Sequence, residues 1–92
     1  MTAILIPPSG LERPVMPAHG SKFTLEELQA MVGGLIEFID LPEHKVMVLN
    51  QEGKLMGLPS NPAATLRMVG AGTMPDDYAV GDVVIVDEKQ LS

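Results

Sequence analysis

Residues 23–34, FTLEELQAMVGG, leave the chain few choices of local structure. Thr24 precedes Glu27 by three residues, the spacing at which a hydroxyl and a carboxylate each satisfy a free backbone N–H at the start of a helix. Phe23 just before the cap and Leu28 one turn inside form the apolar staple that sets the angle at which the chain enters. Glu26 and Glu27 lie in the first turn, where the helix dipole favours negative charge. Leu25, Leu28, Met31 and Val32 recur at the helical period and give the segment one apolar stripe. Gly33 and Gly34 then stop the helix and permit a left-handed exit. The two carboxylates are thereby explained as scaffold rather than as an active acid pair.

The helix needs a surface to lie on, and the flanking segments read as strands. Residues 3–6 form a short strand closed by Pro7 and Pro8. Residues 9–22 form a long loop in which Arg13, Val15 and Met16 suit a brief second strand, confined to a sheet edge by Pro14 and Pro17. Residues 35–41 and 46–49 are the next two strands, joined across Pro42 as an antiparallel hairpin. Residues 50–53 read as a second turn with Gly53 at a positive φ, leading to a third strand at Lys54, Leu55 and Met56 and so to a three-strand meander. Asn61 caps a second helix whose first residue is Pro62 and which runs to about Val69. Residues 83–86, VVIV, are the last strand. The expected fold is α+β: a small mixed or antiparallel sheet packed by one main helix, with a second short helix, in a single domain over residues 1–92.

Both strands of highest apolar content, 46–49 and 83–86, place hydrophobic groups on both faces of the sheet. One helix covers one face and leaves the other needing cover. A homodimer that packs sheet faces or joins strand edges supplies it; the alternative is that the long N-terminal loop folds over the second face. A hydrophobic fraction of 46% excludes wholesale disorder, and 20% charged residues is lean for a fully solvated surface, which also points to a partner.

Twelve acids against six bases give a net charge of −6, which repels nucleic acid globally. The absence of cysteine removes thiolate catalysis and zinc–thiolate coordination and fits a reducing compartment. The start MTAILIPP has neither a basic n-region nor a long apolar run, so a cytoplasmic location without a membrane partner is expected.

The segment GLPSNPAA at 57–64 is the most suggestive chemically. First-turn amides at Ala63 and Ala64, beside Ser60 and Asn61, suit a phosphate or carboxylate, with Lys54 and Arg67 as a local positive rim. The glycine spacing is not that of a P-loop or a dinucleotide fingerprint. Elsewhere, His19 and Ser21 are close in sequence without the geometry of nucleophilic catalysis. Asp40 and His44 are too few for a metal centre, and Asp76 with Asp77 reads as a polar turn. Phe23, Phe38 and Tyr78 are too scattered for a base-stacking platform. No catalytic set, cofactor or metal is expected.

The series LEELQAMVGGLIEFIDL, VMVLNQEGKLMGLPSNPAA and VGDVVIV resembles a family of small uncharacterised domains encoded by phages, plasmids and bacterial chromosomes, with the combination VGG, NQEGK and GLPSNP as its most specific part. The resemblance covers nearly the whole chain and implies a compact α/β domain often associated with mobile genetic elements, without an assigned activity. Members often carry a basic residue soon after the asparagine matched by Asn61, where this chain has Pro62. The expected function is a small accessory interaction protein, homodimeric and non-catalytic, that binds another protein. The alternative is a nucleic-acid or small-anion binder using residues 54–67.

Overall fold

The computed structural model describes residues 3–70, 72 and 77–91. Five strands form one sheet: β1 (Ala3–Ile6), β2 (Arg13–Val15), β3 (Ile36–Leu41), β4 (Lys45–Asn50) and β5 (Val83–Asp87), in the order β2-β1-β5-β4-β3. Every pairing is antiparallel. Helix α1 (Leu25–Val32) precedes β3, and α2 (Pro62–Gly70) lies between β4 and β5. A single 3-10 turn, Glu88–Gln90, follows β5.

Alternation along the central strands divides the core into two layers. Val46, Val48, Val84 and Val86 join Ala3 and Leu5 on one face, where Phe23, Leu28 and Val32 of the α1 segment cover them. Met47, Leu49, Val83 and Ile85 join Ile6 on the other, against Ala64 and Met68 of α2. The second face is therefore covered from within the chain by α2, rather than left for a second copy or the N-terminal loop. The sheet is antiparallel throughout, and a helix packs on each side.

Helix α1 forms as its sequence predicts. Thr24 Oγ1 accepts from the Glu27 N–H at 3.1 Å, Glu27 Oε1 accepts from the Thr24 N–H at 2.8 Å, and Gly33 exits with φ 82°. The staple residues Phe23 and Leu28 are both buried in the same layer. Glu27 also accepts from the Ala18 N–H at 2.8 Å, pinning the long loop to the helix. Pro14 sits in β2 at the sheet edge, where a strand tolerates a missing donor.

The expected third strand of the meander does not form. Residues 51–57 are a run of turns, closed by Met56 N–H to Glu52 O at 2.9 Å and Leu58 N–H to Gly53 O at 3.1 Å. The ladder position beside β4 is taken by β5, whose four branched residues bury more than Lys54, Leu55 and Met56 offer. Gly53 does not adopt a positive φ either. Its requirement is space: a Cβ there would stand 2.6 Å from Val80 Cγ2. In the β3–β4 hairpin, Glu43 and His44 carry positive φ values of 64° and 61°.

Candidate functional site

Asn61 is fully buried, and the start of α2 is built around it. Its Nδ2 donates to the carbonyl oxygens of Ile6 and Gly81, both at 2.8 Å, and its Oδ1 accepts from the Ala64 N–H at 3.1 Å. Its own N–H donates to Ala79 O at 2.8 Å. The Thr65 hydroxyl donates to Asn61 O at 2.8 Å and accepts from the Ala79 N–H at 2.9 Å. One side chain therefore caps the helix and clamps it to the end of β1 and the approach to β5. The Ala64 amide, proposed above as an anion donor, is engaged by this cap and lies in the core. Ser60 is exposed and forms an isolated bridge with Val80, while Ala63 is half-buried.

The two expected rim cations line different grooves. Lys54 Nζ lies 2.7 Å from Asp77 Oδ1 and 4.3 Å from the centre of the Tyr78 ring. That hydrogen bond holds the lysine above its ordinary pKa and Asp77 below its own. Around them runs a groove of about 270 Å³, lined among others by Glu37, Gln51 and Met68. Arg67 instead bonds Glu12 at 2.6 Å and borders an apolar groove of about 510 Å³ floored by Ile4, Leu41 and Ile85. Leu66, 73% exposed, stands on the rim of that groove. An anion at either cation meets a carboxylate already paired there.

His44 faces Glu88 at 3.1 Å across the hairpin end. Among the described residues no group of three or more potential ligands is placed to hold a metal ion. Asp76, read with Asp77 as a turn, lies outside the described residues. No helix among the described residues is long and apolar enough to cross a membrane.

Sequence reasoning missed the outer edge of β3. This strand ends the sheet, opposite the β2 edge, and presents Phe38 at 53% exposure. Ring and strand together form an apolar margin with Ile36, Leu25 and Leu91 over the α1 side. The hairpin signal identified β3, but which of its two sides stays open depends on where β5 inserts.

The fold and these surfaces define a small antiparallel α+β domain with a helix on each face. The chain belongs to the family described as Domain of unknown function (DUF3846), whose model matches residues 1–90. No curated protein and no solved structure matches it.

Proposed function

We propose that the chain is a small, non-catalytic accessory protein of a mobile genetic element, acting in the cytoplasm as a homodimer that binds a further protein. The open edge of β3 carries this reading: a six-residue strand, free of proline, with an exposed aromatic ring and one side unpaired among the described residues. The association with mobile elements rests on the sequence resemblance. The net charge of −6 makes a basic surface the complementary one for the further partner. Sedimentation velocity at micromolar concentration tests the dimer, with twice the mass of the 9.8 kDa chain expected. A single monomeric boundary removes the reading.

The alternative, anion or nucleic-acid binding by residues 54–67, sets the ligand in competition with Asp77 at Lys54 and with Glu12 at Arg67. Titration with inorganic phosphate and a short oligonucleotide, repeated on Lys54→Ala with Arg67→Ala, decides it. Binding that survives both substitutions eliminates this region.

A further inference from the structure

We propose that β3 pairs antiparallel with β3 of a second copy about a two-fold axis through Phe38, so that two five-stranded sheets become one. This rests on the homodimer reading and specifies its surface and register. The Leu35 carbonyl accepts from the Gln51 N–H at 2.8 Å, and the register runs from Ile36 opposite Asn50 to Leu41 opposite Lys45. Since bonded and non-bonded pairs alternate along an antiparallel ladder, Glu37, Ile39 and Leu41 turn their backbone groups to β4. Ile36, Phe38 and Asp40 turn theirs to the open side. Among the described residues nothing bonds those outward groups.

In a new ladder, outward-turned residues must face outward-turned residues, so the two-fold axis passes through a residue; an axis at 36 pairs only Ile36 within the strand and one at 40 sets Asp40 opposite its own copy, which leaves 37, 38 and 39. An axis at 37 sets Glu37 directly opposite its own copy, a like-charge pair at the shortest cross-strand spacing. An axis at 39 sets Ile36 opposite Pro42, which has no N–H to give. An axis at 38 sets Ile36 opposite Asp40, Glu37 opposite Ile39 and Phe38 opposite itself. It engages the whole strand with about six backbone hydrogen bonds and places no acid directly opposite an acid.

Side-chain chemistry agrees with this axis. The axis is perpendicular to the sheet, so both α1 helices lie on one side of the joined sheet. The two Phe38 rings meet on that side, beside Leu25, which is 54% exposed in the single chain. Aromatic pairs are among the favoured cross-strand partners. Growth stops at two copies because the opposite edge, β2, is three residues long and contains Pro14. Glu37 and Asp40 disfavour the other registers in the way that charged edge residues disfavour open-ended stacking.

The chain contains no cysteine, so paired single-cysteine chains report the register directly. In the axis through Phe38, positions 37 and 39 of different copies are a non-hydrogen-bonded pair with Cα atoms about 4.5 Å apart, within disulfide range. Under mild oxidation, Glu37→Cys chains mixed with Ile39→Cys chains are expected to cross-link at about ten times the rate of either chain alone. Cross-linking of Ile39→Cys alone at the higher rate, or of Leu35→Cys chains mixed with Ile39→Cys chains, which keep Glu37 in both copies, overturns the register and identifies the axis at 39 or 37 respectively. Phe38→Asp, at an exposed position that leaves the core intact, is expected to weaken association at least about tenfold by bringing two carboxylates together at the axis. If the unmodified chain sediments as a dimer but neither the mixed cross-link nor the Phe38→Asp effect appears, the surface is wrong and the homodimer stands. If the unmodified chain sediments as a monomer, both fall.

Discussion

The two helices begin with the same device in opposite surroundings. Thr24 caps α1 at the surface, bonding only within its own turn, whereas Asn61 caps α2 from the centre of the molecule and bonds Ile6 and Gly81, far away in sequence. The same contrast holds for glycines in the two regions. Gly33 serves local geometry through its positive φ, with nothing within 4 Å of a built Cβ, while Gly53 serves a contact with Val80. The α1 region is therefore a self-contained instruction. The region from Asn50 to Asn61 is a set of ties between distant segments. Asn50 belongs to the second group, since its buried amide donates to Val32 O at 3.1 Å and ties the end of β4 to the end of α1.

The largest difference between the two caps is expected at Asn61. Asn61→Ala removes the cap and leaves the Ile6 and Gly81 carbonyls without this donor, so a loss of about 3–5 kcal/mol is expected in urea unfolding. Asn61→Asp sharpens the point: aspartate caps a helix as well as asparagine does, yet it cannot donate to two carbonyls and would bury a charge. A large loss for Asn61→Asp alongside a negligible one for Thr24→Asp separates the clamp from the simple cap; equal tolerance at both positions would contradict it. Next in size, Gly53→Ala forces a Cβ against Val80 and is expected to cost about 1–3 kcal/mol, as overpacking does. Thr24→Ala is expected to lose about 1 kcal/mol, the usual worth of a surface cap.

The smallest effect is a pH dependence at Glu27. Hydrogen bonds from the backbone of Thr24, then of Ala18, hold its carboxyl below the ordinary glutamate pKa. A depressed folded pKa contributes stability that is fully present above the unfolded value and is lost as pH falls through the folded one. The stability difference between the native chain and Glu27→Gln should therefore shrink on acidification below the ordinary glutamate range, read as converging urea midpoints. A difference that stays constant across that range would show that the carboxylate charge adds nothing to the capping box.

Legibility followed the range of the interactions. The α1 capping box, the β3–β4 hairpin, the edge position of Pro14 and the Asn61–Pro62 helix start were all readable, because each depends on neighbours in sequence. The strand expected at Lys54, Leu55 and Met56 was not found, because adjacency suggested a meander while β5 took that ladder position from the far end of the chain. Gly53 does lie in the expected turn, but without the positive φ, and Val80 is what excludes a side chain there. Within the candidate site, Lys54, Ser60, Asn61, Ala63, Ala64 and Arg67 were recognisable as polar or helix-start positions. Their partners Asp77, Tyr78, Glu12, Ile6 and Gly81 were not, since nothing in the spacing brings those residues near.

By itself, the sequence determined where α1 starts and stops, which residues form its buried stripe, and that the central strands are apolar on both faces. Those properties arise from backbone groups and side chains within a few residues of one another. Only the tertiary structure decided that α2 covers the second face, that Asn61 is a clamp and that β3 is left open at the sheet edge. Strand order and burial are settled by which distant segments together remove the most apolar surface from water while pairing their backbone groups, and that competition is decided across the whole chain.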